Sequence, residues 1–325
     1  MWRKHILSFV LFIVITLVTI GFPHGDDAWF SFMTTSDEQA WQLFLIYRIP
    51  EVFIAIIAGF ALSIAGLLLQ TTLNNPLAGP SILGLTAGSH LMVALTIMGS
   101  SVLGLEILDL GITISATIGA LVFGLLILLI ATRIRSMVSL LLVGMMLGTF
   151  VSAITNIILM KADANSVKAF SVWGMGSLQQ VDIDQIPLIS LLFLIGIGLA
   201  FLLTKALNAL ILGEKPAAIL GVKVKQTRWK VIFVVSLLAG LVTAFCGPIG
   251  FVGLIVPNLV RMFYKTAQHG HLLLASGLIG ASVMVLCVLL IRIFEPIIVL
   301  PINSLTALLG APIVLFLLLK NIRNA

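Results

Sequence analysis

Few side chains in this sequence stand where they could do chemistry. No Asp, Glu, Lys or Arg falls at the centre of its long apolar stretches. His90, in "SHLMVALTIMG", is the one ionisable exception there, and Asn156, in "AITNIIL", is the main polar one. A histidine in such a stretch either meets a polar solute passing the helix or hydrogen-bonds to a neighbouring helix. Both readings stand for His90. Cys246 and Cys287 lie in apolar runs without metal-ligand or disulfide spacing, which marks them as small buried hydrophobes. The signatures of hydrolytic and phosphate chemistry are absent: there is no HExxH, no GxSxG, no carboxylate pair within an apolar run and no GxxxxGK[ST]. No catalytic centre, metal site or cofactor is therefore expected, and no nucleoside triphosphate is bound through a P-loop.

The elements that hold these residues are set by composition. Of 325 residues, 60% are hydrophobic and 9% charged, with a mean hydropathy of +1.23. A water-facing globule cannot use that much apolar surface. Repeated continuous runs of about 20 apolar residues read as membrane-spanning helices, whereas barrel strands would alternate. The expected fold is an all-α integral membrane protein forming one transmembrane domain over residues 1–325. Eight spans are plain, at about 6–22, 48–70, 112–132, 138–160, 187–206, 229–246, 272–293 and 304–320; two are weaker, at 81–98 and 250–264. The start, "MWRKHILSFVLFIVITLVTIGF", has a long run and no small-x-small cleavage site, so it reads as an uncleaved first span.

Charge decides whether the two weaker segments cross. With ten crossings and both termini cytoplasmic, fourteen of the eighteen Lys and Arg residues fall inside, and only Arg48, Lys161, Lys168 and Arg292 fall outside. Without 81–98, Arg133 and Arg135 move to the wrong side. The positive-inside rule thus favours ten spans. It also accounts for the net charge of +6 without a nucleic-acid partner. Small residues then bring the helices together: Ala55, Gly59 and Ser63 form one stripe, and Gly84/Gly88 and Gly144/Gly148 form small-x-x-x-small pairs. "GPIGFVG", Gly247 to Gly253, predicts a tight reversal.

One polar island interrupts this pattern. In "GEKPAAILGVKVKQTRWK", Gly213 to Lys230, six of eighteen residues are charged. "KPAAILG" predicts a short helix, with Pro216 in its first turn, Glu214 at its positive end and Gly221 at its close. Ala217, Ala218, Ile219 and Leu220 would form an exposed small and apolar surface. Such a knob is covered either by a protein partner or by membrane lipid, with the lysines on anionic headgroups.

Several ordered segments resemble one family. "YRIPEVFIAIIAGFALSIAGLLLQTTLNNPLAGPSILGLTAG", "LLLVG", "LGEKPAAILGV", "CGPIGFVGLIVPNLVR" and "LPINSLTALLGAPIVLFLLLK" look like the FecCD family, the permease subunits of iron-siderophore, haem and cobalamin ABC importers. The resemblance runs from about residue 45 to 320. It implies a vitamin B12 permease-like bundle of ten helices in the bacterial cell membrane. Its implied partners are a second permease subunit (identical or homologous), an ATP-binding subunit and an extracytoplasmic solute-binding protein. Ferric siderophore is the expected substrate, with haem or cobalamin as alternatives; an ion-coupled secondary transporter is the reading from another class. Within the loop of about 208–228, the motif G-E-x-x-A-x-x-L-G places ATPase coupling at Gly213, Glu214, Ala217, Leu220 and Gly221. The same resemblance puts binding-protein docking at Arg48 and Arg292, with Glu51 standing where relatives carry a second arginine. It puts a cytoplasmic gate at Ser136, Met137 and Val138.

Overall fold

The longest of the apolar candidate spans, Phe44–Thr72, becomes the central post. This is α2, Ile49–Thr72, entered through one π-helical turn, Phe44–Arg48. Almost every α2 residue from Pro50 to Gln70 is buried, and six other helices pack against it. The computed structural model describes residues 2–22, 41, 44–81, 84–103, 109–134 and 137–323. The other long helices are α1 (Trp2–Gly21), α3 (Leu85–Leu103), α4 (Asp109–Arg133), α5 (Met137–Leu159), α7 (Ile186–Leu202), α10 (Val224–Cys246), α11 (Val252–Tyr264), α12 (His269–Phe294) and α13 (Ile302–Arg323). Three short helices complete the described set: α6 (Ala164–Gly174), α8 (Thr204–Leu210) and α9 (Glu214–Ile219).

Lipid tails give apolar helices no hydrophobic reason to associate, so close backbone approach must do it. The sequence supplies glycine at each closest approach. A Cβ on Gly59 would overlap the Gly280 carbonyl of α12, and one on Gly66 would overlap Gly253 of α11. A second seam joins α3 to α4, where Gly88 and Gly119 face each other's backbones. These two seams lock α2, α11 and α12 into one cluster and α3 and α4 into another, with α10 between them.

Seven helical segments are long and apolar enough to cross a membrane: Trp2–Gly21, Phe44–Thr72, Gly111–Ala131, Ser139–Leu159, Ile183–Leu202, Val224–Cys246 and His269–Phe294. The other three expected spans are helical too, as α3, α11 and α13, but they are shorter or less apolar. Two local expectations are corrected. Gly84 and Gly88 do not form one helical stripe. Gly84 precedes α3 with φ +75 and approaches Gly144 and Gly148 of α5, while Gly88 serves α4. The span expected at 187–206 ends at Leu202, and the chain restarts as α8. The reversal at 247–251 forms as expected, with Gly247 at φ +72. It carries further ties: Ser177 N–H donates to the Cys246 carbonyl at 2.9 Å, and Gly250 N–H to Asn303 Oδ1 at 3.2 Å.

Candidate functional site

The connection between α8 and α10 owes its shape to two glycines. Gly213 has φ +103 and Gly221 φ +84, a region that L side chains rarely adopt. Gly213 turns the chain into α9, and its carbonyl accepts from Ala217 N–H at 3.1 Å. Glu214 occupies the first helical position, where a carboxylate suits the positive helix end. It also pairs with Arg228 of α10, a partner fourteen residues away that local spacing did not indicate. The helix closes in a Schellman motif: Val222 N–H donates to Ala217 O and Gly221 N–H to Ala218 O, both at 3.0 Å. Ala217 is fully buried, whereas Ile219 is 87% and Leu220 64% exposed. Ile219 and Leu220 thus make an apolar crest on α9; Ile211, Leu212, Lys215, Lys223 and Lys225, near it in sequence, are exposed too. The short helix and its glycine close match the sequence reading.

At the opposite end of α2 the geometry corrects an expectation. Arg292 of α12 is not presented outward: it is 4% exposed and ion-paired with Glu51, itself 6% exposed. Its NH1 also donates to the Thr19 carbonyl of α1 at 2.7 Å. Glu51 in turn accepts from Gln179 Nε2 at 2.9 Å. Glu51 therefore faces inward, and the two charges close over each other as a staple between α1, α2, α12 and the segment after α6. In this arrangement Arg292 is turned into the bundle and not offered on its surface, where docking was expected. Arg48 remains half-buried in the π-turn, donating to the Phe22 carbonyl at 3.3 Å.

Ser136 lies outside the described residues, and Met137 and Val138 open α5. Among the described residues His90 makes no hydrogen bond to a neighbouring helix, which one reading expected. Its Nδ1 donates to the Thr86 carbonyl of its own helix at 2.7 Å. Its ring stands edge-on to Trp173 and Phe170 of α6, at 5.2 and 5.9 Å between centroids. Asn156 is exposed on α5, as are Phe150 and Ile157. His90 and Asn156 thus do not share a site within one copy of the chain. Cys246 and Cys287 are both buried and unpaired with each other. Among the described residues no group of three His, Cys, Asp or Glu side chains could hold a metal ion.

The model of the FecCD transport family matches residues 6–320. The hemin transport system permease protein HmuU of Yersinia pestis is 31% identical over 97% of this chain and 95% of its own length. The vitamin B12 import system permease protein BtuC of Vibrio parahaemolyticus is 32% identical over 98% and 95%. Among solved structures, an inward-facing metal-chelate type ABC transporter superposes with a TM-score of 0.86 at 29% identity, covering 98% of this chain and 100% of that one.

Proposed function

Because the chain belongs to the FecCD transport family, we propose that it is the membrane permease subunit of an ATP-driven importer, moving a metal chelate inward by alternating access. Ferric siderophore is the substrate we favour; haem and cobalamin are metal chelates too, and the relatives named for hemin and vitamin B12 support the class. The observation that carries the reading is the exposed crest of Ile219 and Leu220 on a chain without a P-loop. Hydrolysis then belongs to a separate ATP-binding subunit, whose cleft would receive α9. Ten crossings with both termini cytoplasmic put that crest on the side where ATP is found.

The mechanics follow from connectivity. α9 sits between α8 and α10, and its buried Ala217 and the Glu214–Arg228 pair join it to its own bundle. A push on the crest is therefore a push on both helices. The outer end, with Arg48, is where an extracytoplasmic solute-binding protein would deliver substrate. A second permease subunit, identical or homologous, would cover the α5 face and give the Asn156 amide a polar surrounding that lipid cannot. The permease itself makes and breaks no covalent bond in this account.

Leu220→Glu tests the coupling surface. The variant should fold as the parent does and lose co-purification with the ATP-binding subunit. Undiminished co-purification would remove α9 from that role. Uptake of hemin, cyanocobalamin and a ferric siderophore, offered in parallel to the assembled complex, separates the three substrates.

A further inference from the structure

Near the end of the bundle that carries α9, four side chains form one directed hydrogen-bond chain. Arg261 of α11 donates from NH2 to Thr71 Oγ1 of α2 at 3.2 Å. Thr71 Oγ1 lies 2.9 Å from His269 Nε2 of α12, and His269 Nδ1 lies 2.9 Å from Asn208 Oδ1 of α8. The roles follow from chemistry. A guanidinium only donates and an amide oxygen only accepts, so His269 Nδ1 carries the proton toward Asn208. Nε2 of the neutral ring is then an acceptor, and the Thr71 hydroxyl donates to it. Every link points the same way, from α11 through α2 and α12 to α8. Asn208 Oδ1 also accepts the His269 backbone N–H at 2.8 Å. It thereby caps α12 from another helix, where the N-cap residue Gln268 makes no side-chain capping bond.

The surroundings give the chain mechanical weight. His269 is 1% exposed, so its ring cannot swing to water without opening the contact. Arg261 is further held by Gln70 Oε1 at 3.1 Å, and Gln70 Nε2 donates to the Leu254 carbonyl at 3.0 Å. These bonds bind α2 and α11 a second time. A cavity of about 270 Å³, lined by Thr71, Arg261, His269 and Ile211, lies beside the chain. Ile211 follows directly on α8 and begins the connection to α9. Asn208, three residues earlier, is thus where a force passing from α9 back into α8 would meet a directional bond to α12, separate from the Glu214–Arg228 link to α10. Leu207 anchors the same turn of α8 in the apolar core, but apolar contact can slide, whereas this hydrogen-bond chain fixes register.

We infer that Asn208, His269 and Thr71 are positioning residues that carry motion of the α8–α9 segment to α2, α11 and α12, with His269 as the indispensable middle link. The functional half of this inference rests on the importer reading above; the structural half does not. The first test therefore uses the permease alone in detergent. Asn208→Leu and Thr71→Val, singly and together, are compared by equilibrium unfolding. The two residues do not touch, so ordinary packing predicts effects that multiply. The inference expects a non-additive coupling of about fivefold or more in the unfolding equilibrium, and expects it to vanish when His269→Ala is the background. The retaining variants Asn208→Asp and Thr71→Ser should behave as the parent. Multiplicative effects, or coupling that persists without His269, would overturn the strut. The second test uses the complex with its ATP-binding subunit. Asn208→Leu and Thr71→Val should leave the complex assembled and hydrolysing ATP while substrate moved per ATP falls about tenfold, within the usual range of site-to-site coupling. Unchanged stoichiometry would overturn the transmission role. Failure of the parent chain to bind any ATPase would count against the importer reading and leave the unfolding result standing.

Discussion

At the scale of single residues, the buried Glu51–Arg292 pair is the most consequential arrangement. Removing one member strands the other charge where water does not reach, which costs about 3–5 kcal/mol. Glu51→Ala and Arg292→Met should each lower stability by that order. Glu51→Leu combined with Arg292→Met should recover much of it, because an apolar pair of similar volume avoids the desolvation cost. Thermal unfolding of the four proteins in one detergent checks this. Equal loss in the double variant and in the singles would mean that the pair acts only through its bonds to Thr19 and Gln179. The pair could not be read from sequence. Its members are 241 residues apart, and each alone looks like an interfacial charge. Spacing could raise the question of what Glu51 does among arginines, and only the fold could answer it. His90 teaches the same lesson: its partners, Trp173 and Phe170, come from a helix that no apolar pattern announced.

At the scale of elements, legibility followed locality. α9 was readable because the signals that start and stop it lie within nine residues: the two glycines, the proline and the acidic first position; its tie to Arg228 was not readable. Gly221→Ala would put a Cβ into a left-handed conformation and cost roughly 1–2 kcal/mol, fraying α9 at its close. Weaker co-purification with the ATP-binding subunit should follow, while Lys215→Ala, on an exposed side chain, should change little. The break at Leu203 is followed directly by Thr204 and Lys205, but Ala206 and Leu207 resume the apolar pattern, and the sequence reading carried the span too far. α6 begins at Asp163, which accepts from Ser166 Oγ at 2.5 Å, Ser101 Oγ of α3 at 2.8 Å, and the N–H groups of Ser166 and Asn165 at 3.2 and 3.1 Å. Those donors, Ser166 first and Ser101 next, hold its carboxyl down to about 2 from the usual 3.8. The folded state thus favours the charged form. Its contribution is whole above the ordinary value and is lost as pH falls toward the lowered one. Fluorescence of Trp173, at the far end of α6, should report loosening between roughly pH 4 and pH 2. The effect should be smaller in Asp163→Asn; equal acid sensitivity would place the responsible group elsewhere.

At the scale of the whole molecule, one division of labour accounts for the composition. The bundle keeps its charges at its two ends, a buried staple at one and a directed hydrogen-bond chain at the other, with glycine seams between. It contains no midplane acid through which an ion gradient could act and no P-loop through which ATP could. In the proposed function the energy comes through a surface, and α9 is the surface proposed for it. Proteoliposomes holding the permease, with and without its ATP-binding subunit, test this most directly when uptake of a labelled metal chelate is followed under ATP and under imposed proton or sodium gradients. The account predicts uptake only with the ATP-binding subunit and ATP, abolished by Leu220→Glu. Uptake driven by a gradient in the permease alone would contradict it.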